Sequence, residues 1–170
     1  VLFRHPDLFD GLVAMSGLYQ LRMFIGDEVD DSGYFNSPLL YLPGLEDPWY
    51  LSRFRSAKLA FVVGQGAWEG EMIADTRAME EVLRAKGIPA IVDFWGQDVD
   101  HDWPWWRRML PHYLERLGVS ALSSDAVRGL LADDVTDQSI HREVFATVRY
   151  LLRRRLALAR PVTYLDATHL

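Results

Sequence analysis

Three short apolar runs, each closed by glycine or by a Ser-Gly step, constrain the fold more than any other feature of this sequence. They cover residues 12–15, 59–63 and 90–94. Between the second and the third, apolar side chains recur at helical spacing, and Gly87 and Pro89 then predict the end of that helix. Strands separated by a helix of this length are typical of a parallel sheet. The sequence therefore predicts an α/β fold with helices on both faces of the sheet.

Residues 21–55, by contrast, show no regular spacing of apolar side chains and are rich in Pro, Tyr, Trp and Asp. The family resemblance described below implies a long loop for this segment, near the active site. Its aromatic side chains either line a pocket or pack against the edge of the sheet, and the sequence leaves both alternatives open.

A histidine follows the third predicted strand, in the segment Gly-Gln-Asp-Val-Asp-His-Asp-Trp-Pro-Trp-Trp that ends at Trp106. Pro104 can open a helix, because the first helical position needs no N–H donor. His101 therefore lies on the loop between a strand and a helix, at the sheet edge where ligands bind in α/β proteins. An imidazole there can take and return a proton near neutral pH. The alternative interpretation is a loop histidine that only bonds its neighbours.

The aspartates beside this histidine suggest a second alternative, a metal site. Asp98, Asp100 and Asp102 surround His101 in the sequence. They lack the fixed ligand spacing of a known metal motif, so we interpret them as a solvated acidic loop.

The segment from His101 to Trp106 resembles the end of the α/β-hydrolase fold. It is most similar to the esterase family that includes S-formylglutathione hydrolases, feruloyl esterases and mycolyltransferases, whose catalytic histidine precedes a Trp-Pro step. The resemblance continues through residues 3–9, 35–38, 47–51 and 63–69, and so covers residues 1 to about 117. It implies the C-terminal part of an esterase-like domain, with His101 as catalytic base and Trp103 in contact with a small-molecule ester. It implies no cofactor.

The triad of such an enzyme also needs an acid to orient the histidine. Glu69 follows the second predicted strand after a short Gly-rich turn, and Glu69-Gly70 resembles the Glu-Gly step of the mycolyltransferase-like members. Glu71 and Asp75 are rivals, and we rank Asp75 last because it should lie inside the helix. The alternative role for Glu69 is an acid that complements the helix dipole.

The nucleophile is absent from the sequence. The α/β-hydrolase elbow has the pattern Gly-x-Ser-x-Gly, which neither Ser16 nor Ser120 matches, and there is no cysteine to replace it. In the resembled family the elbow precedes the segment that begins here at Phe3, so we expect it upstream of Val1. As written, the chain should not hydrolyse esters by a serine mechanism, and the sequence leaves open whether it is an enzyme.

The pattern changes near Gly118. Tryptophan does not occur beyond this point, arginine becomes frequent, and the spacing predicts two helices and a strand ending at Asp166. Residues 123–131, 133–139 and 166–169 resemble the P-loop kinase module of bacterial polynucleotide kinases. The resemblance implies Asp125 as the base acting on a nucleic-acid 5′-hydroxyl and Arg128 as a contact to the substrate phosphate. Mg-ATP would be required only if the module were complete.

The kinase-like segment is also incomplete, because neither lysine of the chain lies in a Gly-x-x-x-x-Gly-Lys-Ser/Thr loop. A helix cap and a surface ion pair are the alternative roles for Asp125 and Arg128. We therefore predict two partial α/β domains, residues 1–117 and 118–170. Three functions compete: an ester hydrolase fragment, a kinase fragment, and a non-catalytic α/β fragment. The junction is either a true fusion, a decay product or a mis-assembled reading frame, and we favour the last two.

Composition restricts the partners and the cellular location that we expect for this chain. The net charge of −6 argues against general nucleic-acid binding, so a nucleic-acid 5′ end is a partner only under the kinase alternative. The lack of cysteine excludes disulfides and favours a reducing compartment, from which we predict a cytoplasmic location. No apolar run approaches 18 residues, so we predict no membrane partner.

Overall fold

The computed structural model describes residues 1–26 and 29–118. The predictions for the second domain, including Asp125 and Arg128, lie outside these residues. In chain order, the described part contains β1 (Gly11–Met15), α1 (Arg22–Ile25), α2 (Asp31–Phe35), α3 (Pro38–Tyr41), a 3₁₀ turn (Leu42–Gly44), α4 (Pro48–Ser56), β2 (Lys58–Val63), α5 (Gly70–Ala85), β3 (Ile91–Phe94) and α6 (Trp103–Arg116).

The three strands form a parallel sheet in the order β1-β2-β3. Leu12 is paired with Leu59 across the first ladder, and Ala60 with Ile91 across the second. The predicted parallel α/β sheet is thereby confirmed. Since parallel strands run in one direction, the carboxyl ends of all three meet at one edge.

The side chains of β2 alternate between two hydrophobic clusters, as the period of a strand requires. One cluster holds Leu59 and Phe61 with side chains from α4 and α5, namely Phe54, Met79 and Leu83. The other holds Ala60 and Val62 with side chains from α6, namely Met109 and Tyr113. Helices therefore cover both faces of the sheet, which is why β2 is buried along nearly its whole length.

The long loop predicted for residues 21–55 is wrong in detail, because the structure forms four short helices and a 3₁₀ turn there. Local capping explains two of them. At the start of α2, the Asp30 side chain accepts a hydrogen bond from the Gly33 amide. At the start of α4, the Asp47 side chain accepts one from the Trp49 amide. Helices of four to nine residues are too short to produce a visible apolar period, so the sequence pattern missed them.

No helix within residues 1–26 and 29–118 is both long and apolar enough to span a bilayer.

A buried tyrosine joins β3 to α6. The Tyr113 hydroxyl donates to Asp93 Oδ2 at 2.6 Å and accepts from the Trp95 indole at 2.8 Å. Burial, and after it the hydrogen bond to Asp93, raise the pKa of Tyr113 from its ordinary 10 to about 12. Burial also raises the pKa of Tyr41 to about 12.

We expect alkaline unfolding as a result. A tyrosine whose pKa is raised by folding keeps its proton in the native state after the unfolded state has lost it. The stabilisation is complete below pH 10 and disappears as the pH rises toward 12. Urea unfolding at a series of pH values should show the free energy of unfolding falling across this window. Tyr113→Phe should make the fall shallower, and an unchanged slope would contradict this account.

Candidate active site

The structure brings Glu69 and His101 together at the carboxyl ends of β2 and β3. Glu69 stands immediately before α5, and His101 lies on the loop before α6. His101 Nδ1 is 3.3 Å from Glu69 Oε2. The Glu69 side chain is completely buried, whereas the imidazole is 29% exposed. A carboxylate enclosed by protein thus faces a histidine that is partly exposed to solvent.

Sequence reasoning missed the third member of this cluster, Ser16. It follows β1 directly and is buried. Its hydroxyl donates to Glu69 Oε1 at 2.5 Å, and the Trp106 indole N–H donates to the same hydroxyl oxygen at 3.0 Å. The signal was present in the sequence, because Ser16-Gly17 closes the first apolar run as Gly64 closes the second.

The loops that carry Glu69 and His101 are joined through their backbones. The Gly66 amide donates to the Val99 carbonyl at 2.9 Å, and the His101 amide donates to the Ala67 carbonyl at 3.0 Å. The Ala67 amide in turn donates to Asp100 Oδ1 at 2.6 Å. Because the hydrogen bonds run in both directions, the histidine loop is held in a fixed position over the acid.

Two glycines permit this close approach. A Cβ at Gly64 would lie 2.1 Å from the carbonyl oxygen of Val99, and one at Gly66 would lie 2.2 Å from Asp100 Oδ1. Neither position has room for a side chain. The Gly-Gln-Gly step after β2 is therefore required by loop-to-loop packing.

One tryptophan packs directly against the histidine, and a second packs against the first. The Trp106 ring meets the imidazole edge to face with centroids 4.8 Å apart, and Trp103 packs against Trp106 at 5.2 Å. Trp103 is partly exposed, and Trp68, which precedes Glu69, is 86% exposed. The role of Trp103 in substrate contact stays a prediction.

The rival acids lie elsewhere. Glu71 is exposed on the first turn of α5. Asp75 is buried, and its carboxylate accepts from the backbone amides of Tyr19 and Gln20, at 2.7 and 3.1 Å, and from the Gln20 side chain. Asp75 therefore anchors the segment that follows β1, and among these three acids Glu69 is the one that contacts His101.

The acidic loop residues take part in local hydrogen bonds. Asp102 Oδ1 accepts from the Trp103 amide at the start of α6, and Asp100 bonds to Ala67 as described above. In the part of the chain that the structure describes, no three His, Asp or Glu side chains group closely enough to hold a metal ion. Two clefts, lined by residues such as Ile25 and Gly33 or Leu39 and Val82, lie away from His101.

The arrangement can move a proton. When Glu69 accepts the Nδ1 proton of His101, the second ring nitrogen, Nε2, is left free as a base. The 3.3 Å separation exceeds the about 2.7–2.9 Å of a tight charge-assisted bond, and such contacts commonly shorten when substrate binds. Ser16 bonds to the acid on its other oxygen, so it is not presented to His101 as a nucleophile.

Comparison with known proteins supports the fold. No family model matches the chain, and no curated protein matches it. A solved structure described as a ferulic acid esterase is similar, with a TM-score of 0.53 and 22% sequence identity over 68% of this chain. The chain spans 44% of that structure's length. At this identity the similarity shows an esterase-like α/β fold, and nothing in it supports the predicted kinase-like segment.

Proposed function

We propose that residues 1–117 form the part of a serine ester hydrolase that carries the histidine and the acid. The observation that carries the proposal is the contact between His101 and the buried Glu69 at the ends of adjacent parallel strands. The similarity of the fold to that of a ferulic acid esterase structure supports it.

In the proposed reaction the serine comes from a segment with a Gly-x-Ser-x-Gly elbow, which this sequence does not contain. His101 Nε2 takes the hydroxyl proton as the serine oxygen attacks the ester carbonyl. The bond to the alcohol oxygen then breaks, and the imidazolium returns the proton to the leaving alcohol. Water reverses these steps on the acyl-enzyme and releases the acid.

Glu69 has two tasks in this scheme. It holds His101 in the tautomer with the proton on Nδ1, and it stabilises the imidazolium that forms during attack. Its complete burial strengthens both effects, because no solvent screens the carboxylate. The proposed substrate is a small-molecule ester, and the reaction uses no metal or organic cofactor.

The test supplies the missing nucleophile. The elbow-bearing N-terminal half of a ferulic acid esterase is joined ahead of Val1, and hydrolysis of p-nitrophenyl acetate is measured. We expect turnover that His101→Ala reduces to the level of a fusion lacking the serine. His112→Ala is the matched control, because His112 lies on α6 and packs against Trp95. A folded fusion without turnover, or one unaffected by His101→Ala, would refute the proposal.

A further inference from the structure

Ser16 has a conformation that needs an explanation. Its φ of 49° lies in the left-handed region, which residues other than glycine seldom adopt. Its amide nevertheless continues the β1–β2 ladder, donating to the Val62 carbonyl at 2.7 Å. The backbone thus turns sharply at the strand end while remaining tied to β2. Strain of this kind persists where the surrounding structure holds it in place, and it often accompanies a functional site.

The turn delivers the Ser16 hydroxyl to Glu69. The separation of 2.5 Å from Glu69 Oε1 lies at the short end of the about 2.5–2.7 Å range for a hydroxyl that donates to a carboxylate. The hydroxyl oxygen accepts from the Trp106 indole, so its proton is directed away from Trp106 and toward the acid. The two oxygens of Glu69 consequently have different partners, Ser16 on one side and His101 on the other.

We infer that Ser16 is a positioning residue, which acts through Glu69 to hold His101 in the Nδ1–H tautomer. This inference rests on the proposed function. Without the hydroxyl, Oε1 of a completely buried carboxylate would lose its partner, and the side chain would be free to turn away from the imidazole. Ser16 also links the ends of all three strands, because its partners Glu69 and Trp106 follow β2 and β3.

The test uses the chain itself and requires no ester hydrolysis. Ring ¹⁵N NMR shifts report which nitrogen of His101 carries the proton, and exchange of that proton with water reports how firmly it is held. In the unmodified chain we expect the Nδ1–H tautomer to predominate, with slow exchange. Ser16→Ala should shift the ring toward a tautomer mixture and accelerate the exchange.

Ser16→Gly separates the hydroxyl from the backbone. Glycine adopts a left-handed φ readily, so a purely conformational role for Ser16 predicts that Ser16→Gly preserves the tautomer. Our inference predicts that it shifts the ring as Ser16→Ala does. Ser52→Ala, which removes an exposed hydroxyl on α4, is the control and should have no effect. Trp106→Phe keeps a ring beside His101 but removes the indole donor, and it should cause a smaller shift.

The inference is overturned if both Ser16 variants retain the Nδ1–H tautomer. It is also overturned if Ser16→Gly retains that tautomer while Ser16→Ala loses it. Either result would leave the proposed esterase role of Glu69 and His101 intact. If the unmodified chain shows no preference for Nδ1–H, the pairing of Glu69 with His101 is itself refuted, and the proposed function fails with the inference. If Ser16→Ala does not fold, Ser16→Gly and Trp106→Phe carry the test.

Discussion

Glu69→Gln is expected to lower kcat of the serine-complemented esterase by about 10,000-fold, with KM little changed. The physical reason is the tautomer of His101. Ser16 donates to Oε1 of the acid, and an amide that keeps this hydrogen bond places its oxygen there. The amide nitrogen then faces His101 Nδ1 and donates to it, which forces the ring proton onto Nε2. An imidazole with its proton on Nε2 cannot act as the base for the serine.

The matched control is Glu71→Gln, the same substitution two residues along on an exposed position of α5. We expect it to leave kcat within about twofold of the parent, because an exposed charge interacts weakly with its surroundings. Steady-state kinetics with p-nitrophenyl acetate decide between the two acids. If Glu71→Gln lost activity while Glu69→Gln kept it, the assignment of the acid would be wrong.

Gly64→Ala is the substitution from which we expect a large loss of stability. Its Cβ would lie 2.1 Å from the Val99 carbonyl oxygen, a backbone atom that cannot rotate away. The loop that carries His101 must then move, and the hydrogen bonds from Gly66 and to Ala67 are strained or lost. We expect the free energy of unfolding to fall by about 3 kcal/mol, the upper part of the range for overpacking. Urea unfolding measures this loss, and the His101 ring signals should shift with the loop.

Gly44→Ala is the control for this substitution. A Cβ at Gly44 meets no heavy atom within 4 Å, and the residue lies in the 3₁₀ turn far along the chain from the site. We expect a change of no more than about 0.5 kcal/mol, as for other surface substitutions. Equal stability of the Gly64→Ala and Gly44→Ala proteins would show that the two loops are not packed as described.

Local sequence patterns predicted most of the framework. The three apolar runs correspond to β1, β2 and β3 within one residue at their starts, because a strand that packs against helices on both faces carries mostly apolar side chains. Gly87, with a φ of 62°, follows the end of α5 as predicted from its left-handed preference. The short helices between β1 and β2 escaped prediction, because each is too short to produce a visible apolar period.

The sequence also proposed Glu69 and His101 as partners, and the structure places them 3.3 Å apart. Their catalytic roles stay predictions, as does the division of the chain near Gly118. The sequence ranked Glu69 first and Asp75 last, but it could not decide between Glu69 and Glu71, which lie two residues apart. Only the direction in which each side chain leaves α5 or the preceding turn distinguishes them.

By itself, then, the sequence determined the alternation of strands and helices in a parallel sheet and the edge of the sheet at which chemistry is possible. Both follow from strand and helix periods, which are local properties of the chain. The tertiary structure decided which acid contacts the histidine, that Ser16 bonds to that acid while Trp106 bonds to Ser16, and that Gly64 and Gly66 are needed for the two loops to pack together. These contacts join residues 32 to 90 positions apart. Such distances are set by the packing of helices on the sheet, which no local pattern records.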